Sequence, residues 1–114
     1  MQVHYLEIVT TDVDATCSAM ESLHGVSFGD PIAELGNART AEQRSGGRIG
    51  VRAPMRESEE PVVRPYVLVT DIESAVAAAE AAGGMIALPP MEIPGQGSCA
   101  IYIQGGIHCG LWQV

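Results

Sequence analysis

Residues 66–84 read YVLVTDIESAVAAAEAAGG. A short β-branched run, Tyr66–Val69, gives way at Thr70-Asp71 to an alanine-rich segment that stops at Gly83-Gly84. Ile72, Val76, Ala79 and Ala82 recur at helical spacing, and alanine favours both helix and close approach to a sheet. Asp71 stands where its carboxylate can accept from the orphan amides of a first helical turn. The stretch therefore predicts a strand, a capped helix and a glycine stop.

The same order occurs earlier in the chain. Residues 3–25 read VHYLEIVTTDVDATCSAMESLHG: an alternating run Val3–Val9, a Thr11-Asp12 boundary, Val13, Cys17, Met20 and Leu23 at helical spacing, and Gly25 as the stop. Sliding the chain by 59 residues superposes Thr11-Asp12 on Thr70-Asp71, Gly25 on Gly84, Pro31 on Pro90, Gly36 on Gly95 and Gly46-Gly47 on Gly105-Gly106. Most identities fall on glycine, proline and capping residues, where backbone geometry chooses the residue. Three further strand-like pieces follow each helix: 26–35, 38–44 and 48–53 in the first copy, and 85–93, 98–104 and 108–113 in the second. Glycines at the intervening turns supply positive φ. The expected architecture is α+β, one domain over 1–114 built from two tandem βαβββ modules. Module 1 covers about 1–53, a charged, proline-bounded surface linker 54–63, and module 2 about 64–114. Together they form a cupped, mostly antiparallel sheet with helices on its outer face.

Composition narrows the function classes. A chain of 114 residues with 46% hydrophobic and 18% charged residues is the size of one domain. Six basic residues, all arginine, against fourteen acidic ones give a formal charge of −8, which supplies no basic stripe for nucleic acid. No apolar run reaches membrane-spanning length and the N-terminus lacks a signal pattern, so the expected location is the cytoplasm. Cys17, Cys99 and Cys109 show no metal or disulfide spacing and read as small packing residues.

The module order, with LEIVTTDVDAT, YVLVTDIESAVAAAEAAGG and the terminal GGIHCGLWQV, resembles the vicinal oxygen chelate superfamily, which includes glyoxalase I, extradiol dioxygenases, methylmalonyl-CoA epimerase and bleomycin-resistance proteins. The terminal Gly106–Gln113 segment matches the glyoxalase/bleomycin-resistance pattern G-x-x-F-G-L-W-Q, with Cys109 in place of the aromatic. The resemblance implies a small-molecule site in the cup and a homodimer. It also implies one divalent metal held by side chains from the first and last strands of each module, because the chemistry grips adjacent substrate oxygens with a Lewis acid. Those ligand positions fall on Tyr5, Val51, Arg64 and Gly110. Valine and glycine offer no donor, and arginine brings a fixed charge, so the expected cofactor is none. The alternative is one divalent Zn, Ni, Mn or Fe held through a register shifted by one, which would bring in His4 with Cys109.

Strand alternation selects the cup residues. With Leu6, Ile8, Val67 and Val69 beneath the helices, Tyr5, Glu7 and Val9 face the cup, as do Arg64, Tyr66 and Leu68, and His108, Gly110 and Trp112. Tyr102, alternating with Ile101 and Ile103, is expected in the same space. Tyr5, Arg64, Tyr66, Tyr102 and Trp112 are thus the expected ligand-binding residues, suited to a flat or apolar molecule, and acidic surroundings suit a neutral or cationic one. Glu7 and His108 are the candidate base and acid. Glu7 reads equally as a salt-bridge partner of Arg64, His108 as a polar edge residue, and Trp112 as a mouth or dimer contact. Three functions follow: a metal-free small-molecule binder of sequestering or resistance type; a lyase, isomerase or dioxygenase; or an accessory interaction subunit whose cup is filled by its own side chains.

Overall fold

The two Thr-Asp boundaries separate strand from helix in the computed structural model, which describes residues 1–114. The chain order is β1 (Val3–Val9), α1 (Val13–His24), a 3-10 turn (Ala33–Leu35), β2 (Arg39–Glu42), β3 (Arg48–Arg52), β4 (Val62–Leu68), α2 (Ile72–Ala81), β5 (Met85–Ile93), β6 (Gly97–Gln104) and β7 (Ile107–Gln113). This is the expected α+β class, and the 59-residue offset carries β1 onto β4 residue for residue. The chain divides into two units, one of Tyr5–Val63 and one of Met1–His4 with Arg64–Val114.

In the first unit β1 runs parallel to β3, with Leu6 beside Ile49, Glu7 beside Gly50 and Ile8 beside Val51. β2 pairs antiparallel on the other side of β3. Leu6 and Ile8 pack with Cys17, Met20, Phe28, Ile49 and Val51, so α1 covers the face carrying the even residues of β1. Each aliphatic side chain buried there contributes about 1.5–3 kcal/mol of transfer free energy. The second unit repeats the plan. β4 runs parallel to β7, β7 pairs antiparallel with β6, and β6 with β5. Ile72 and Val76 of α2 close over Ala100 and Leu111. Gly105 and Gly106, at φ 59° and 77°, form a two-residue hairpin whose twist matches its strands.

The structure differs from the sequence reading in three places. Residues 26–35 are not a strand. Gly29 and Pro31 interrupt the run, Phe28 turns into the core with its amide held by Glu21, and only an isolated bridge, Ile32 with Ala38, remains. The corresponding β5 does contain Pro89-Pro90, but it lies at the end of the β4-β7-β6-β5 order, and its pairing register shifts on either side of Leu88. An outer strand tolerates the missing donors. The linker is shorter than expected, because β4 begins at Val62. Finally, only one Thr-Asp caps with its side chain. Asp71 accepts from the amides of Glu73 and Ser74, whereas Asp12 makes no such bond and instead donates its own amide to Thr10 Oγ1.

Candidate functional site

On the second unit, pairing of Tyr66 with Gly110 and of Leu68 with Trp112 puts the even residues of β4 and β7 on the face away from α2. Trp112, the only tryptophan, is 1% exposed. Its ring meets Tyr66 edge-on at 5.6 Å between centroids and His4 at 5.7 Å, and its Nε1 donates to the Gln96 carbonyl at 2.9 Å. Gly110 makes the close packing possible, since a Cβ there would lie 2.6 Å from Tyr66 Cγ. At the open end of this cluster Arg64 Nη2 lies 3.4 Å from Nδ1 of the exposed His108. A guanidinium has only donors, so Nδ1 is the acceptor in this contact.

On the first unit the odd residues of β1 lie away from α1, with Arg48, Gly50 and Arg52 of β3 beside them. Tyr5 is buried with its hydroxyl end over Gly50 and Arg48 5.8 Å from its ring centre. Burial, helped by the Glu7 charge, pushes its phenol up to about 12. Arg52, 4% exposed, is the hub of this face. Its Nε donates to Glu7 Oε2 at 2.9 Å, and its two terminal nitrogens donate to Glu59 at 2.9 and 2.7 Å. The bidentate bond raises the arginine further and, with the Met55 amide, brings the Glu59 carboxyl down to about 2.

The expected site residues are therefore redistributed. Arg64, Tyr66, His108 and Trp112 do come together. Glu7 makes a short ion pair with Arg52 of its own unit. Tyr102 leaves the group. It pairs with Cys109 and packs against the Ala100 and Leu111 cluster beneath α2, because β6 alternates in step with Leu111 and not with Trp112. Burial, then Cys109, raises its phenol. Val51 likewise lies in the α1 core, where its pairing with Ile8 puts it. Arg52 and Glu59 were missed, although R-x-G-x-R over residues 48–52 places Arg48, Gly50 and Arg52 on one strand face and could have revealed the first.

The implied metal fits this donor set poorly. Tyr5 is a buried phenol held protonated to high pH, Arg64 is a cation, Gly110 has no side chain and lies under Tyr66, and Glu7 is engaged by Arg52. No group of three His, Cys, Asp or Glu side chains is placed to hold a metal ion. Of the residues of the shifted alternative, His4 lies against Trp112, while Cys109 shares its face with Leu111 under α2. No helix is long and apolar enough to cross a membrane.

Comparison with known proteins adds the family context. No family model matches the chain. It is 26% identical over 116 aligned positions to "Putative glyoxylase CFP32" of Mycobacterium tuberculosis and, equally, of Mycobacterium bovis. The alignment takes in 96% of this chain but spans only 44% of the length of those relatives. Among solved structures, methylmalonyl-CoA epimerase of Streptomyces coelicolor in complex with 2-nitronate-propionyl-CoA superposes with a TM-score of 0.72 at 16% identity, over 99% of this chain and 96% of that one. The epimerase of Mycobacterium tuberculosis gives 0.74 at 15% over 97% and 86%. A hypothetical protein of Bacillus halodurans gives 0.78 at 11% over 99% and 94%. The chain thus has the vicinal oxygen chelate fold, the fold that its βαβββ repeat and GLWQ ending resemble.

Proposed function

We propose that the chain is a metal-free small-molecule-binding member of this fold, of sequestering or resistance type, working as one domain and as a homodimer in the cytoplasm. One observation carries the reading. The positions where the fold's catalytic members hold a metal carry a protonated phenol, a cation and a bare glycine, and the carboxylate beside them, Glu7, neutralises the buried Arg52. A cation would have to displace Arg52 Nε from Glu7 and break one arm of a largely buried ion-pair network. What remains is recognition of an organic ligand, the role filled in the epimerase complex by a CoA ester.

Trp112 supplies the assay, because its emission reports the site without a label. A panel of small aromatic and apolar molecules titrated against the chain should include binders whose dissociation constants do not change with excess EDTA. Binding seen only after Zn, Ni, Mn or Fe is added would replace this reading with the metal-dependent lyase, isomerase or dioxygenase. If nothing in a broad panel binds with or without metal, the accessory interaction subunit takes its place.

A further inference from the structure

We propose that the outer edge of β2 takes up an extended peptide segment with apolar and acidic side chains, laid into the trough beside the end of α1. The inference goes beyond the small-molecule reading and does not depend on it.

The internal repeat shows what is missing. In the second unit β5 flanks β6, and Ile101, 59 residues on from Glu42, pairs with Leu88. In the first unit the counterpart segment 26–35 forms no strand, so β2 ends the strand order and no strand pairs with its outer side. The turn after β2 fixes its backbone directions. The Gln43 amide donates to the Gly47 carbonyl, so Gln43 and Ala41 face β3, while Thr40 and Glu42 point their amides and carbonyls outward. The Thr40 carbonyl accepts from the Gly29 amide at 2.9 Å, but the outward groups of Glu42 bond no other backbone. Beyond that contact lies a trough of about 800 Å³, lined by the end of α1, Val26, Ser27, Glu42, Arg44 and the buried Ile49. A free ladder edge beside an apolar floor suits strand addition, in which the main chain supplies hydrogen bonds and alternate side chains fill the groove. Charge selects the occupant. Residues 39–48, RTAEQRSGGR, hold three of the chain's six arginines against one acidic residue, a basic island in a chain of formal charge −8. Arg39 is paired with Asp14 and Arg48 lies over Tyr5, whereas Arg44 is exposed and in no ion pair. An antiparallel segment, the sense in which β5 meets β6, brings its N-terminal end beside Arg44, where an acidic side chain complements it. A second copy, itself at −8, suits the edge less well than a short acidic segment.

The test titrates the intact chain with the capped peptide acetyl-Glu-Val-Thr-Val-amide, followed by amide NMR shifts and hydrogen exchange. In the antiparallel register the peptide's glutamate lies beside Arg44, its threonine opposite Glu42 and its valines toward the trough. Shifts should centre on Val26, Ser27 and residues 41–44, with slowed exchange of the Glu42 amide. N-methylation of the peptide threonine removes the donor to the Glu42 carbonyl and should weaken binding severalfold, whereas N-methylation of the first valine, whose amide faces away, should not. Lysine in place of the peptide glutamate should also weaken binding, and Arg44→Ser should remove that preference. Glu42→Pro deletes the outward amide while sparing the ladder to β3, so it should weaken binding severalfold with the remaining spectrum preserved. No shift at these residues at millimolar peptide would overturn the proposal, as would equal binding of the threonine-methylated peptide or of the lysine peptide. Protection of the Glu42 amide that rises with protein concentration alone would assign the edge to a second copy and overturn it too. The metal-free reading is judged separately, by ligand binding insensitive to EDTA.

Discussion

A glycine under an aromatic ring recurs in both units: Gly50 beneath Tyr5 and Gly110 beneath Tyr66. Neither glycine is needed for a turn; each is needed because the ring occupies the space a methyl group would take. At Gly110 the obstruction includes the Pro65 carbonyl, 2.7 Å from a Cβ, and backbone cannot swing aside as a flexible side chain can. Gly110→Ala should therefore destabilise the fold by about 1–3 kcal/mol, the range for overpacking, read as a lower urea midpoint. An unchanged midpoint would contradict the packing described. Glu59 makes a second prediction at this scale. Its carboxyl titrates at about 2 in the fold against an ordinary 4.5, chiefly because Arg52 donates to the charged form. A depressed carboxyl contributes stability above its unfolded value and loses it as pH falls toward the folded one. Stability should thus decline between about pH 4.5 and 2, and Glu59→Gln should flatten that part of the profile while lowering stability at pH 7. A wild-type profile with the same slope as Glu59→Gln would refute the assignment.

At the scale of elements, helices and hairpins were the most legible because their signals are local. The Gly-stopped periodic segments became α1 and α2, and Gly105-Gly106 became the tight hairpin, since each depends on backbone preferences carried by a few adjacent residues. The strand expected at 26–35 is interrupted at Gly29 and Pro31 and keeps only the Ile32–Ala38 bridge, while the outer β5 keeps its prolines. The two Thr-Asp boundaries are identical in sequence and distinct in structure, which yields a clean comparison. Asp71→Ala should cost about 1 kcal/mol through the lost cap, and Asp12→Ala less than about 0.5 kcal/mol, both by chemical denaturation. Equal losses would mean that Asp12 caps in solution. The segment after β3 is likewise more than a solvated connection. Glu59 ties it to Arg52, so Arg52→Met, which strands Glu7 and Glu59, should cost about 3–5 kcal/mol, more than Glu59→Gln.

For the whole molecule, the repeat made the fold readable, and strand alternation correctly grouped Arg64, Tyr66, His108 and Trp112. Alternation misplaced Tyr102 because it fixes faces only after the pairing register is known, and that register depends on partners distant in sequence. The Arg52 hub was hidden for the same reason: Glu7 and Glu59 meet it only once β1, β3 and the following segment are assembled. We propose that Tyr5, Val51, Arg64 and Gly110 leave the chain without a metal centre. Elemental analysis by inductively coupled plasma mass spectrometry tests it most directly, on untagged protein purified with and without added Zn, Ni, Mn and Fe, then dialysed. Well under one tenth of an equivalent of any of them is the expected result. Near-stoichiometric retention of a single metal would contradict it, and would require Glu7 to leave Arg52 or His4 to leave Trp112.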